Sequence, residues 1–486
     1  SRVHRIATSR EPLALRDEVV FHVPPLGLPE EETLEALLTS ESGQLLVDRI
    51  RRARPGYVPV VEEQSALTSI CVRLDGIPLA LELAAARSAT LAPNALAARL
   101  SERFRLLTGG GRNVLPRQRT LEASVAWSYH LLDDRDAAVF RQLSVFAGTF
   151  SLAAAVAAVG DDAGTEAEVT EVILGLVARS LLVGVGRDAE PRFRMLDTLR
   201  HFGKERLIDA AEAEGARPRH LEWFLAAAHD AGPALEGPDA LAITEALDED
   251  LDNLRAAMSW AIDSDRADHL LAIAANLSWF WIWRGRLQEG LGWLKSADAL
   301  DTPPSPQARL ERAWACEQLA IHFRAGHDEI SHHANTALTI AREIGDRRTE
   351  GRMLVSWGMH VGFRDPQDAL QLIETGREIC RTHDDPFWAA YATGSTALCR
   401  SFLGRHDQAA QHLDAMDREV NLLGNPQLVA DHLARRSFID FWRGDFDAVI
   451  QARARVDEVV AGLTEINVRA ILVTNAAHVA IARGQA

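Results

Sequence analysis

From about residue 216 onward a glycine-centred turn returns at a near-constant interval, and that interval restricts the fold more than composition does. It occurs as Arg284-Gly285-Arg286, Ala325-Gly326-His327, Leu403-Gly404-Arg405, Arg443-Gly444-Asp445 and Arg483-Gly484-Gln485. The spacings are 41, 78, 40 and 40 residues, and Arg364-Asp365-Pro366 sits midway in the double gap. The segments between are alanine-rich and read as helices. A helical hairpin cannot bury its apolar face alone, so repeats of this length stack on one another. The interval exceeds the roughly 34 residues of a tetratricopeptide repeat, and the expected architecture is TPR-like. The chain begins at Ser1 with no initiator Met and ends at Ala486 inside a hairpin turn, so a fragment of a longer protein is expected.

A chain of 486 residues holds about three domains. Hydrophobic residues at 47% and charged residues at 25% allow an ordinary globular core. The net charge of −17 argues against the chain gripping nucleic acid, because phosphate binding needs clustered cations. Cys71, Cys316, Cys380 and Cys399 show no C-x-x-C spacing and read as small buried hydrophobes in a reducing compartment. No apolar run approaches the roughly 20 residues of a membrane helix. A cytoplasmic protein without membrane partners is expected.

Upstream of the repeats the chain changes character twice. Residues 1–25 read as two strands, Val3–Ala7 and Val19–Val23, ended by Pro24-Pro25, which cannot donate to a ladder. Residues 26–111 are helical, with periodic segments at Glu30–Leu38, Gly43–Ala53, Glu62–Leu74, Pro78–Ser88 and Ala95–Leu106. The Gly109-Gly110-Gly111 run that follows is a hinge candidate and lacks the Lys-Ser/Thr of a phosphate loop. In residues 112–215, Thr120, Asp133-Asp134 and Ser151 are placed to cap successive helices. A further helix spans Val172–Ser180, and Leu181–Val185 with Arg192–Met195 then gives a hairpin signal. Helices followed by a β-wing predict a winged helix.

Leu74-Asp75-Gly76-Ile77-Pro78-Leu79-Ala80-Leu81-Glu82-Leu83 joins two of the helices. Gly76 can take the positive φ that follows a helix end, and Pro78 suits the first turn of the next helix. Gly-Ile-Pro followed by Leu79–Arg87 resembles the Gly-x-Pro motif of STAND-class P-loop NTPases, the NB-ARC-type switches that include many large bacterial transcription regulators. Three further segments resemble the same class in the same order. Arg5-Ile6-Ala7-Thr8-Ser9-Arg10-Glu11-Pro12 is similar to its sensor-arginine strand, and Ser128-Tyr129-His130-Leu131-Leu132 to the start of its winged helix. Arg194-Met195-Leu196-Asp197-Thr198-Leu199-Arg200 is similar to its Met-His-Asp motif.

The resemblance covers about residues 1–215 and implies a mainly α protein. It would comprise the end of an α/β nucleotide domain (1–25), a helical Gly-x-Pro domain (26–111), a winged helix (112–215) and TPR-like repeats (216–486). It also implies roles: Arg10 reaching a terminal phosphate, Gly76 and Pro78 closing over adenine, and the Leu196-Asp197 turn meeting the diphosphate of ADP. Leu196 stands where the family has histidine, so the implied ADP lock loses its donor, while Asp197 remains to cap the helix Thr198–Leu207.

No Gly-x-x-x-x-Gly-Lys-Ser/Thr occurs, and Gly203-Lys204 runs on into Glu205. The chain is therefore expected not to hydrolyse ATP by itself. ATP or ADP with Mg²⁺ is expected in an intact protein. The resemblance further implies an inducer or protein partner on the repeats, self-association on activation, and DNA contact only through an output domain, such as a LuxR-type one, not encoded here. The alternatives are a nucleotide-independent TPR-like scaffold that binds peptides and direct DNA binding by the winged helix.

Three other clusters have structural readings. His327, His332, His333 and Glu329 are too few for a metal site. Trp279, Phe280, Trp281 and Trp283 alternate too quickly to share one helix face and are expected in packing. Asp248-Glu249-Asp250-Leu251-Asp252-Asn253-Leu254-Arg255 resembles the motif that opens the helical region of these regulators, and its charges read as a solvated face and a helix start.

Overall fold

The computed structural model describes residues 24–74, 76–107, 125–160, 164–185, 191–323, 325–459 and 466–483. The expected strands Val3–Ala7 and Val19–Val23, with Arg10, the cap Thr120 and the triple glycine, lie outside the described residues. Two compact units emerge. The first holds the described residues of Ser1–Ser144, Asp161–Gly186 and Phe193–Ala210, and the second those of Val145–Gly160, Arg187–Arg192 and Ala211–Ala486.

In the first unit, α1 (Leu34–Thr39) starts later than its periodicity suggests, because the Thr33 side chain caps it by accepting from the Ala36 N–H. Ser40 ends α1 and caps α2 (Glu41–Ala53) through the Gly43 N–H. Helices α3 (Gln64–Arg73), α4 (Pro78–Ala86) and α5 (Pro93–Leu107) complete the helical domain. Leu46, Ile50, Leu67, Ile70, Leu81 and Leu96 form its core, and Trp127 packs into the same cluster. Each such side chain contributes about 1.5–3 kcal/mol when fully buried.

The winged-helix segment follows its capping signals. Asp133 caps α6 (Asp134–Leu143), Ser151 caps α7 (Leu152–Val159), and Thr165 with Glu168 forms a capping box on α8 (Glu166–Ala178). Strands β1 (Phe150–Ser151), β2 (Val183–Val185) and β3 (Arg192–Arg194) form one sheet in the order β1-β3-β2. Helix α9 (Asp197–Asp209) approaches α6 closely at Gly203, where a Cβ would stand 2.8 Å from Ser144 Cβ. Tyr129 fills the space beside Phe140 and Phe202, with centroids 5.7 and 5.4 Å away.

The second unit is almost wholly helical. Helices α10 (Ala213–Leu235), α11 (Ala240–Asp263), α12 (Ala267–Asn276), α13 (Ser278–Trp283) and α14 (Leu287–Ser296) come first. Four hairpins follow: α15/α16 (Pro306–Phe323, His327–Ile344), α17/α18 (Arg347–Gly362, Pro366–Thr382), α19/α20 (Pro386–Phe402, His406–Leu423) and α21/α22 (Pro426–Arg443, Phe446–Val459). Helix α23 (Ile466–Ala482) packs on the last pair. Within each hairpin the helices pack on each other, and the first helices of successive hairpins also touch.

The recurring glycines do the work expected of them at three turns, with φ of +64° at Gly285, +74° at Gly404 and +78° at Gly444. Gly326 differs, being extended at φ −65°. At Asp365-Pro366 the turn is closed instead by an Asp365 cap and Pro366 in the first helical turn. The connections between hairpins use Gly345, Asp384 and Gly424, all at positive φ. All four cysteines are free and buried, as their isolated spacing predicts.

Candidate functional site

Gly76 and Pro78 form the expected elbow, and the structure gives the glycine a second reason to be there. Its φ is +61°, its N–H donates to the Cys71 carbonyl at 3.2 Å, and its carbonyl accepts from the Leu26 N–H at 3.0 Å. A Cβ on Gly76 would stand 2.2 Å from the Leu26 carbonyl oxygen. Pro78 occupies the first position of α4 with Ile77 extended before it. The elbow thus fixes both the helix pair and the segment arriving from Pro25.

Farther along the same motif, Arg87 is buried at 8% exposure and donates through Nη2 to the Ser128 carbonyl at 2.9 Å. No carboxylate partners it among the described residues. Its Nε and the Ser88 and Ser128 hydroxyls, all buried, have no hydrogen-bond partner there. Burial, with Arg179 nearby, pushes the guanidinium pKa down to about 10.

The post-wing turn departs from the sequence expectation. Helix α9 starts at Asp197 itself, with Leu196 in the N-cap position and no side-chain cap. Asp197 is exposed and pairs with Arg200 at 2.8 Å. Its charge still suits a helix N-terminus, but it caps nothing, because the chain turns helical one residue earlier than the expected Thr198. Gly76 and Pro78 belong to one turn and Leu196 and Asp197 to another, both in the first unit. No hydrogen bond or ion pair among the described residues joins the two, and Arg10 lies outside those residues.

The second unit holds a polar and aromatic interior that the sequence does not announce. Glu236, at the end of α10, accepts from Arg352 Nη2 at 2.8 Å and from Trp388 Nε1 at 2.9 Å. Arg352 also meets Asp385 at 2.5 Å, and Arg348 reaches the same oxygen at 3.0 Å. Asn425 donates to the Leu235 and Gly237 carbonyls, both at 2.9 Å, so α10 is tied to residues about 190 positions later. Trp388 touches Trp314, Tyr391 and Trp279 at centroid distances of 5.1, 5.2 and 6.2 Å. Helices α13, α15 and α19 therefore meet around one ring. Desolvation raises the Glu236 pKa while Arg352 opposes the rise. Glu317, fully buried, accepts from Ser356 at 3.0 Å and Gln318 at 2.7 Å, and burial pushes its pKa up to about 8.

The aspartate-rich motif at 248–255 lies in the middle of α11, not at a helix start. Its Asn253 is fully buried. Oδ1 accepts from the Ala147 and Gly148 N–H groups at 2.8 and 3.2 Å, and Nδ2 donates to the Thr149 carbonyl at 2.7 Å. Asp250 pairs with Arg192, and Arg255 holds Glu289 at 2.7 Å through Nε and 2.8 Å through Nη2. The motif is an articulation inside the second unit. Only the juxtaposition of one asparagine with a run of charges hinted at it.

Among the histidines, His327 leaves its sequence neighbours and meets His360, ring nitrogens 3.1 Å apart, beside Trp357. No group of three or more His, Cys, Asp or Glu among the described residues is placed to hold a metal. Trp281 and Trp283 are fully buried and Trp279 is partly open, so the tryptophans divide between faces as their alternation predicts.

Comparison with known proteins follows this layout. A family model for a winged helix-turn-helix domain matches residues 132–208. Proteins of Mycobacterium tuberculosis and Mycobacterium bovis, named as HTH-type transcriptional regulators, are 33% identical over 389 residues, or 78% of this chain. The chain is similar to HTH-type transcriptional regulators. It spans only 42% of the length of these relatives. An uncharacterized protein of Mycobacterium tuberculosis is 35% identical over 45% of the chain and 53% of its own length. A Pyrococcus horikoshii STAND protein with a tetratricopeptide repeat sensor overlaps loosely, covering 91% of this chain and 69% of its own, with 12% identity and a TM-score of 0.34. The expected likeness to transcription regulators agrees with these relatives, and the expected winged helix with the matched family model. No helix among the described residues is long and apolar enough to cross a membrane.

Proposed function

We propose that this chain is part of a nucleotide-dependent signal-transduction switch that regulates transcription, with the hairpins sensing a ligand or protein partner. The observation that carries this reading is the order of parts: a Gly-x-Pro helical domain, a winged helix and helical repeats, in a chain whose regulator relatives match 78% of it. In the intact protein, ADP or ATP with Mg²⁺ would bind where Arg10, the Gly76–Pro78 elbow and the Leu196-Asp197 turn contribute. Partner binding on the repeats would shift the balance between closed and open states by its differential affinity for them. The chain supplies no phosphate loop, so the reading requires one ahead of Ser1 and places no catalytic residue here. Activation would favour self-association, the compartment would be the cytoplasm, and a separate output domain would touch DNA. Direct DNA reading by the winged helix is disfavoured because acidic neighbours dilute its basic residues Arg194, Arg200 and Lys204, Arg200 being paired with Asp197.

Calorimetry of ADP against the intact protein tests the reading. Arg10→Ala should weaken binding about tenfold, the scale of one lost charge-assisted contact. Unchanged affinity would defeat it. A nucleotide-independent scaffold is the second reading, favoured by apolar Leu196 where a phosphate donor is expected, and it predicts no ADP binding at all.

A further inference from the structure

The corner that joins α10 to α11 is gripped by three hairpins through groups that any acidic polypeptide presents. Glu236 offers its two carboxylate oxygens to different helices, Oε2 to Arg352 Nη2 of α17 and Oε1 to Trp388 Nε1 of α19. The main chain on either side offers two carbonyls, those of Leu235 and Gly237, both to Asn425 Nδ2 at the start of α21. Helix α10 itself packs on α7, α11 and α12. Its hydrogen bonds to α17, α19 and α21 are made at this corner.

The donors are set in place without the corner. Asp385 caps α19 and holds Arg352 by its Nε, which leaves Nη2 directed at Glu236. Asn425 caps α21 by accepting from the Leu428 N–H at 2.9 Å, which leaves its amide hydrogens for the two carbonyls. Trp388 packs against Trp314 and Tyr391, so its indole N–H has a fixed direction. The hairpins thus carry a preorganised set of donors for one carboxylate flanked by two main-chain carbonyls. Burial raises the Glu236 pKa although Arg352 faces it, so the corner gives up hydration to sit there and regains it on withdrawal.

We propose that Arg352, Trp388 and Asn425 form a site for an acidic peptide segment of a partner protein, that the chain's own Leu235–Gly237 corner fills this site in cis, and that the partner displaces the corner. This rests on the reading of the repeats as the sensor. The competitor needs a glutamate between two main-chain carbonyls, and it replaces the corner's hydrogen bonds one for one. A tethered occupant competes at a high effective concentration, so the partner binds weakly while the corner is docked and tightly once it is withdrawn. Withdrawal separates α10 and α11 from three hairpins at once, which gives the sensor two discrete states with different affinity for the partner.

The probe is a fluorescein-labelled peptide copying residues 231–240, titrated into the 486-residue chain and read by anisotropy and hydrogen exchange. A chain carrying Glu236→Gln should bind it about tenfold more tightly than the parent, because the neutral amide holds the corner less firmly. The same peptide with Glu236→Gln should bind that variant chain about tenfold more weakly than the glutamate form does. Asn425→Asp, added to the variant chain, keeps the α21 cap but has no amide hydrogen to give, and should lose the peptide with unchanged circular dichroism. Trp388→Phe in the same background, which removes only the indole donor, should weaken it severalfold. Bound peptide should speed exchange at the amides between Leu235 and Ala240. No saturable binding by the variant chain, equal binding by parent and variant, equal affinity for the two peptides, full affinity in Asn425→Asp and Trp388→Phe, or unchanged exchange at the corner would overturn the proposal. Nucleotide does not enter the assay, so these failures are distinct from failure of the ADP titration.

Discussion

A buried arginine in the first unit and a mostly covered one in the second are held in opposite ways. Arg352 lies between Glu236 and Asp385, and its charge is met on both sides. Arg87 gives one hydrogen bond to a backbone carbonyl and meets no carboxylate among the described residues. In the second unit, buried charge is the connector: it ties α10, α17 and α19 together and closes the interior. In the first unit, connection comes from backbone punctuation at Gly76 and from an apolar cluster, with the arginine an addition to it. The elbow region can therefore change its polar contacts at small cost, whereas the repeats cannot lose one charge without stranding another.

The largest expected effect follows directly. Arg352→Ala leaves Glu236 without a counter-charge and Asp385 with only the half-exposed Arg348, and should cost about 3–5 kcal/mol in urea unfolding. Asn253→Ala comes next, since the Ala147 and Gly148 N–H groups lose their partner together and the Thr149 carbonyl keeps only Arg192. A loss of about 2–4 kcal/mol in the same measurement is expected, and a loss below about 1 kcal/mol would mean water replaces the amide.

Gly76→Ala should cost about 2 kcal/mol or more, from positive φ and the Leu26 carbonyl, whereas Gly404→Ala, with open space around it, should cost about 1 kcal/mol. Glu317→Gln sharpens the contrast through pH. The Glu317 pKa is higher in the fold than in the unfolded chain, so its contribution is complete below the unfolded value and disappears as pH rises toward about 8. The variant should gain stability relative to the parent between about pH 5 and pH 8, by about 2–4 kcal/mol across the window, read as a growing difference in melting temperature. The smallest effect belongs to the first unit: Arg87→Met should change stability by no more than about 1 kcal/mol, because only one carbonyl partner is lost. A cost equal to that of Arg352→Ala would erase the distinction between the units.

Much of the architecture was legible from local chemistry. Capping by Asp133 and Ser151 and the positive φ of Gly76, Gly404 and Gly444 follow from residue types whose preferences are set within a few positions. The start of α9 slipped where Asp197 was read as a cap, and α1 starts later than its periodicity because of the Thr33 cap. The interior of the repeats was not legible, because Glu236, Arg352, Asp385 and Trp388 are up to 152 positions apart and no period links them. Asn253 was misread for a related reason: in a run of aspartates it looks like one more polar residue, and only the approach of Ala147 and Gly148 makes it a clamp.

Hydrogen exchange of the intact protein with and without Mg²⁺–ADP tests most directly whether the elbow and the post-wing turn serve one nucleotide. The account predicts that amides at Ile77–Leu81 and Leu196–Arg200 become protected together. Saturating nucleotide that leaves both segments unchanged would contradict it.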